Sequence, residues 1–403
     1  MFPKLRFKEF DENWKEVTLK NCITSIDSGW SPQCESYPAN SSEWGVLKTT
    51  SVDWSGFNSS FNKKLPLELT PRKEIEVKPL DILVTRAGPT ERVGVVSVVP
   101  HSVRSKLMIS DKLIRLKSNE ENNPLFLGIS LSSVKCQNQL QSKTSGLAKS
   151  QTNISQKILG EVLLKLPSKE EQTKIASFLS AVDEKISQLT KKHELLSQYK
   201  QGMMQKLFSQ QLRFKADDGS EFGEWEDKKL GEISKTFSGG TPQSSNKSFY
   251  EGTIPFIKSG EISKNTTEQC INDLALEKSS AKLVKKGDLL YALYGATSGQ
   301  VAISQIDGAI NQAVLCIRSE LNTKYLLNFL LLKKEEILTT YLQGGQGNLS
   351  ASILKEIYIP TPCLAEQTKI ANFLSAIDQK IEVVAQQIEQ AKTWKKGLLQ
   401  QMF

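Results

Sequence analysis

Histidine is nearly absent from this chain: only His101 and His193 occur among 403 residues. The six cysteines, Cys22, Cys34, Cys136, Cys270, Cys316 and Cys363, stand far apart, and none forms a C-x-x-C pair. Zinc sites draw on these two residue types at short spacing, so a dedicated zinc site is not expected. The longest apolar run, YLLNFLLL at 325–332, is far short of the ~20 residues a membrane helix needs. The opening MFPKLRFKEF lacks the apolar core of a secretory signal. No G-x-x-x-x-G-K-[ST] loop is present, which excludes P-loop ATP hydrolysis, and GGQG at 344–347 lacks the strand–helix context of a nucleotide site. These absences point to a cytoplasmic protein with reduced thiols.

What is present suits a soluble globular protein, with 38% hydrophobic and 24% charged residues. The length exceeds one ordinary core and implies two or more domains. A net charge of +8 is a modest basic excess, compatible with a polyanionic partner and also with ordinary surface charge.

The strongest signal is a repeat. EQTKIASFLSAVDEKI (171–186) returns 195 residues later as EQTKIANFLSAIDQKI (366–381), with thirteen of sixteen positions identical. At the same offset YKQGMMQKLF (199–208) faces WKKGLLQQMF (394–403), and Asn153-Ile154-Ser155 faces Asn348-Leu349-Ser350. KLRF (4–7) is echoed by QLRF (211–214), each followed by a tryptophan, Trp14 and Trp225, expected in the core. SGWSPQ (28–33) resembles SGGTPQ (238–243). KPLDILVTRAGPT (78–90) resembles KKGDLLYALYGAT (285–297), matching Asp81 with Asp288 and Gly88 with Gly295, residues suited to a turn and a tight bend. The frame is shared; the interiors differ.

Each half splits into a mixed segment of short β-branched and aromatic runs broken by Gly, Pro, Asn and Ser, and a long helix. The expected segments are 1–166, 167–209, 210–361 and 362–403. Pro167, Pro360 and Pro362 close the mixed segments, Ser168 can cap the first long helix, and Glu170 and Glu171 suit its first turn. Along that helix the apolar positions are Ile175, Leu179, Val182, Ile186, Leu189, His193, Leu196, Lys200, Met203 and Leu207. In the second copy they are Ile370, Leu374, Ile377, Ile381, Val384, Ile388, Ala391, Lys395, Leu398 and Met402. The alternation of 4 and 3 is a coiled-coil heptad seam. At ~1.5 Å per residue each helix would be about 60 Å long. The natural partner is the other copy, paired antiparallel within the chain. Lys200 and Lys395 either fix register or snorkel from the seam edge. Leu195, Met204, Phe208, Phe178 and Phe373 widen the apolar surface, for other proteins or for the chain's own globular segments. Tyr199 and Trp394 are expected to pack on the helices.

This architecture resembles the specificity subunit of type I restriction–modification enzymes over essentially all of the chain. The resemblance rests on the doubled EQTKIA-x-FLSA-x-D-x-KI helix, the SGWSPQ and SGGTPQ openings, the KPLDILVTRAG and KKGDLLYALYG segments, and the loops GLAKSQTNIS (146–155) and GGQGNLS (344–350). It implies an α+β fold with a pseudo-twofold repeat: two target recognition domains on two long antiparallel helices that form an intramolecular coiled coil. It also implies a subunit that supplies sequence choice and assembly. Its partners would be double-stranded DNA, two modification subunits that bind S-adenosylmethionine and methylate adenine N6, and restriction subunits that use ATP and Mg. No cofactor is expected on this chain and no membrane contact. Diverged readers predict an asymmetric bipartite target, with the paired helices as a ruler between the half-sites.

Base edges are read by side chains in the grooves, while phosphate contacts set register. In the first reader the candidates are Lys48, Thr49, Thr50, Arg86, Thr90, Arg92, Lys143 and Lys149. In the second they are Lys258, Ser259, Tyr291, Tyr294, Thr297, Gln300, Gln343, Gln346 and Asn348. Arg suits guanine O6/N7, and Gln or Asn suits adenine N6/N7. Each could equally be a solvated surface residue. No NPP-aromatic motif of an adenine methyltransferase appears, and no nucleophile–base pair is evident, so catalysis by this chain is not expected. Two other readings stand beside this one: a coiled-coil scaffold binding proteins or glycans, which predicts no salt-dependent DNA affinity, and a stand-alone DNA-binding regulator.

Overall fold

A computed structural model describes residues 3–144, 152–342 and 349–403. They form two compact units: Met1–Gln188 with Ile388–Phe403, and Leu189–Gln387.

In the first unit, Ile23–Ser28, Leu113–Ser118, Ile82–Thr85 and Val96–Val98 form an antiparallel sheet in that order. A second, three-stranded sheet runs Leu107–Met108, Gly45–Leu47, Asn62–Lys64, its first pair parallel. Lys15–Thr18 pairs with Leu163–Leu166 just before the long helix. The second unit repeats the plan. Its first sheet runs Ser234–Ser238, Val314–Ser319, Leu289–Ala292, Val301–Ile303. Its second runs Cys270–Ile271, Ile254–Ile257, Gly308–Ile310, Lys282–Val284, again with one parallel pair. Glu226–Lys229 pairs with Tyr358–Thr361.

The apolar runs DILV and DLLYA follow from this layering. Neighbouring strand residues face opposite ways, so a strand covered on both faces is apolar throughout. Ile82 and Val84 enter one core and Leu83 another. Leu289 and Tyr291 enter one core, Leu290 and Ala292 another. Asp81 and Asp288 shape the turn before each strand by accepting the backbone N–H of Lys78 and Lys285 at 2.9 and 2.8 Å.

The long helices span Lys169–Phe208 and Leu364–Met402. Ser168 Oγ accepts the Glu171 N–H at 3.4 Å, and Glu170 and Glu171 lie in the first turn. The first unit joins the early half of one helix to the late half of the other, and the second unit joins the remaining halves. The helices therefore pair antiparallel. Ile175, Leu179, Val182, Leu189, Ile370, Leu374, Ile377, Val384 and Ile388 are buried. Ile186, Leu196 and Ile381 are partly covered. The two seam lysines make ion pairs with the facing helix: Lys395 with Asp183 at 2.5 Å and Lys200 with Asp378 at 2.6 Å. Shifting each residue by the 195-residue repeat converts one pair into the other, which is the pseudo-twofold relation at atomic level. Asp378 is half exposed. Lys200→Met is therefore expected to change the unfolding free energy by less than about 1 kcal/mol. Urea titration checks this, and a loss above about 3 kcal/mol would instead mark a buried pair.

The extra apolar side chains of the helices meet the chain's own globular segments. Phe178 packs edge-on to Phe7 and Trp394, Phe208 packs on Tyr325 and Phe329, and Phe373 packs on Phe214. Met204 is buried, whereas Leu195 and Tyr199 are exposed.

A polar cluster fastens each globular part to its helix. Glu171, 1% exposed, accepts Arg6 Nε and Nη2 at 2.7 Å each and the Trp14 indole N–H at 3.4 Å. Glu366, 0% exposed, accepts Arg213 Nε at 3.1 Å, Nη2 at 2.8 Å and the Trp225 indole N–H at 2.8 Å. The next residue continues each cluster. Gln172 accepts from the Asn123 N–H and donates to the Pro167 carbonyl. Gln367 does the same with Asn322 and Pro362. Trp14 and Trp225 are only partly buried, packing at the core edge through their rings while their N–H groups serve these carboxylates.

Candidate nucleic-acid interface

The SG-x-[ST]-P-Q openings close onto one edge of each unit. Gly29 and Trp30 donate to the carbonyls of Ser110 and Ile109 at 3.2 and 3.1 Å, and Gly239 donates to the Asn311 carbonyl at 3.2 Å. A Cβ on Gly29 would lie 1.8 Å from the Ile109 oxygen, and one on Gly239 would lie 1.7 Å from the Ile310 oxygen. Only glycine permits this approach. It brings the hydroxyl two residues on against a side chain in the turn before the next strand: Ser31 bonds Asp111, and Thr241 Oγ1 bonds Gln312 Oε1 at 2.6 Å. Sequence reasoning singled out the motifs but not Asp111 or Gln312, because neither belongs to a matched segment.

Lys48 and Lys258 occupy one equivalent position, each preceding a short 3-10 turn, Thr49–Ser51 and Ser259–Glu261. Lys48, Thr49, Lys258 and Ser259 are partly exposed and Thr50 is exposed. Arg92 clamps the first turn: Nη1 pairs with Asp53 at 2.5 Å, and Nη2 donates to the Val52 and Thr49 carbonyls at 2.7 and 3.2 Å. Its guanidinium thus supports the Lys48–Thr50 segment from below and holds the Asp53 carboxyl below its usual range, behind the larger effect of the Ser55 N–H. Arg86 reaches the Asp111 carbonyl at 3.4 Å, so it sits beside the Ser31–Asp111 contact. Thr90 shares a hydroxyl bond of 2.8 Å with Thr152. Lys143 is exposed at the end of the Val134–Ser142 helix.

In the second unit Gln300 is exposed, while Tyr294 and Thr297 are partly covered. Tyr291 must be corrected. It is 0% exposed in the core of a doubly covered strand, its hydroxyl has no hydrogen-bond partner among the described residues, and burial pushes its phenol up to about 12. It cannot reach a groove. Lys149, Gln343, Gln346 and Asn348 lie outside the described residues.

Electrostatics elsewhere belong to the frame. Burial raises the Asp81 carboxyl, against the lowering effect of the Lys78 N–H and Arg115. Asp288 faces a similar burial cost, but a two-pronged bond from Arg318 at 3.0 and 2.6 Å brings it below its usual value. Burial pushes the Cys22 and Cys316 thiols up to about 11 and about 12, which leaves them unreactive. Among the described residues no group of three or more His, Cys, Asp or Glu could hold a metal ion, and no helix is long and apolar enough to cross a membrane.

The profile of the family described as type I restriction modification DNA specificity domain matches twice, over residues 12–197 and 223–393. The type I restriction enzyme EcoEI specificity subunit of Escherichia coli is 40% identical over 171 residues, which are 42% of this chain and 29% of that protein. The putative type I restriction enzyme MjaX specificity subunit of Methanocaldococcus jannaschii is 27% identical over 413 aligned positions, covering 99% of this chain and 94% of that one. In fold, the chain is similar to the type-I restriction-modification system S subunit from M. genitalium, with a TM-score of 0.63, 17% identity, and coverage of 100% and 99% of the two chains.

Proposed function

Since the chain belongs to the type I restriction–modification DNA specificity family, we propose that it selects the DNA target of such a complex, each of its two mixed segments, 1–166 and 210–361, reading one half of an asymmetric bipartite sequence. It contributes recognition and assembly, and the chemistry belongs to its partners. Two modification subunits would bring S-adenosylmethionine and transfer methyl groups to adenine N6, and restriction subunits would bring ATP and Mg. The length of the paired helices would fix the number of base pairs between the half-sites.

The observation that carries this reading is one frame built twice with different residues on it. Ser31–Asp111 and Thr241–Gln312 occupy the same place with different hydrogen-bonding character. Identical readers would select a palindrome; these select two unrelated half-sites. Lys48, Thr49, Thr50, Arg86, Thr90 and Lys143 are proposed on the first face, and Lys258, Ser259, Tyr294, Thr297 and Gln300 on the second.

The test is a map of N6-methyladenine in a host carrying and lacking this chain. A two-part asymmetric motif with a constant gap is expected only when the chain is present. A palindromic motif, or no difference, would overturn the proposal. Replacing residues 210–361 by the corresponding segment of a relative should change one half of the motif and leave the other intact.

A further inference from the structure

The second unit holds a cleft of about 370 Å³ beside the SGGTPQ loop, lined by Thr241, Lys247, Tyr250, Lys258, Gln269 and Asn311 among others. Its size falls within the ~300–1,000 Å³ of ligand pockets. Its chemistry is one-sided. None of its described lining residues is acidic, and two ammonium groups face it. The side-chain carbonyl of Asn311 is already in use. Asn311 Oδ1 accepts the Ala313 N–H at 3.1 Å, so this amide has its NH₂ to offer, and the next residue, Gln312, accepts the Thr241 hydroxyl. Glu261, beside Lys258, is buried and accepts the backbone N–H groups of Lys258 and Glu268 at 3.2 and 2.8 Å. The Tyr250 hydroxyl donates to the Pro242 carbonyl at 2.7 Å, which ties the loop to the cleft wall.

We infer that this cleft seats a backbone phosphate of the bound duplex, with Lys247 and Lys258 as its cationic contacts and the amide of Asn311 as a neutral donor. An acceptor-rich anion suits a recess lined by two ammonium groups and no acidic side chain. A phosphate held here fixes the position of the neighbouring bases against the Thr241–Gln312 pair, since phosphate contacts position and base contacts specify. The first unit carries Lys48 where this one carries Lys258, but Asp111 where this one carries Gln312. Its equivalent edge carries a carboxylate, and the acid-free recess is a property of the second half-site. The inference rests on the proposed DNA-reading role and adds the residues and the ligand group.

The test is the salt dependence of duplex binding by the full chain assembled with modification subunits. The probe is a short duplex carrying the motif found by methylation mapping. Neutralising one phosphate contact changes the slope of log K against log salt by about 0.9. Lys247→Ala with Lys258→Ala is expected to lower that slope by about 1 and to weaken binding equally on matched and mismatched duplexes. Lys247→Arg with Lys258→Arg should restore it, and Gln312→Ala should leave it unchanged. Unaltered thermal unfolding of the alanine variant shows that the fold is intact. An unchanged slope on a duplex that the parent chain binds overturns this inference while the DNA-reading role stands. Saturation by inorganic phosphate at matched ionic strength, with no change in slope, would reassign the cleft to free phosphate and overturn it too. If the parent chain shows no salt-dependent binding to any duplex, the DNA-reading role fails, and this inference fails with it.

Discussion

Arg213→Ala is expected to destabilise the second unit by about 3–5 kcal/mol, the cost of stranding one partner of a buried ion pair. The Glu366 carboxylate that would be stranded is 0% exposed and receives three N–H groups, two of them from Arg213. Removing the guanidinium leaves the Trp225 N–H alone against a full negative charge with no access to water. The reverse change is milder. After Glu366→Ala, Arg213 is still 22% exposed and still donates to the Gly223 carbonyl at 2.7 Å, so its charge can be hydrated. The double variant Arg213→Ala, Glu366→Gln should recover much of the loss, because a neutral amide no longer requires the cation. Urea unfolding followed by tryptophan fluorescence measures all three. A loss below about 1 kcal/mol for Arg213→Ala would make the cluster equivalent to a surface ion pair. Arg6→Ala should behave alike, since Glu171 is 1% exposed.

Leu374→Ala is expected to cost about 2–5 kcal/mol, the range for a truncated core leucine including the cavity left behind. Leu374 is 0% exposed and shares its core with Ile370, Ala371 and Ile377 on its own helix and with Tyr325 and Phe329. Rings and paired helices cannot collapse into the space. Leu196→Ala, at a seam position that is only partly covered, should cost clearly less. The same denaturation series separates the two. Equal losses would mean that the helix seam is as well packed at its middle as where it meets a globular core.

The helices were legible because a heptad is local: seam, cap and capping acids all lie within one continuous segment. The ion pairs of Lys200 and Lys395 were half legible, since spacing placed both lysines in the seam, but their aspartates, Asp378 and Asp183, lie on the facing helix. The Arg–Glu–Trp clusters were invisible for the same reason on a larger scale. KLRF, QLRF, both tryptophans and both EQTKIA motifs stood out individually. The bonds joining them cross 165 and 153 positions. Tyr291 was misread because DLLYA has no alternation. A strand covered on both faces gives periodicity nothing to report, so its tyrosine looked available when it was sealed. Arg92 was read as a DNA contact from its own segment, whereas its guanidinium braces the Lys48–Thr50 turn, a role that depends on carbonyls no sequence pattern displays.

Gly29 and Gly239 leave no space for any side chain against the carbonyls beneath them, so the path of the chain past those points is fixed before any neighbouring residue is chosen. The residues displayed just beyond, Ser31 with Asp111 and Thr241 with Gln312, can then be exchanged without disturbing the course of the main chain. Under the proposed role, a single replacement at such a place alters the preference of one half of the molecule and leaves the other half as it was.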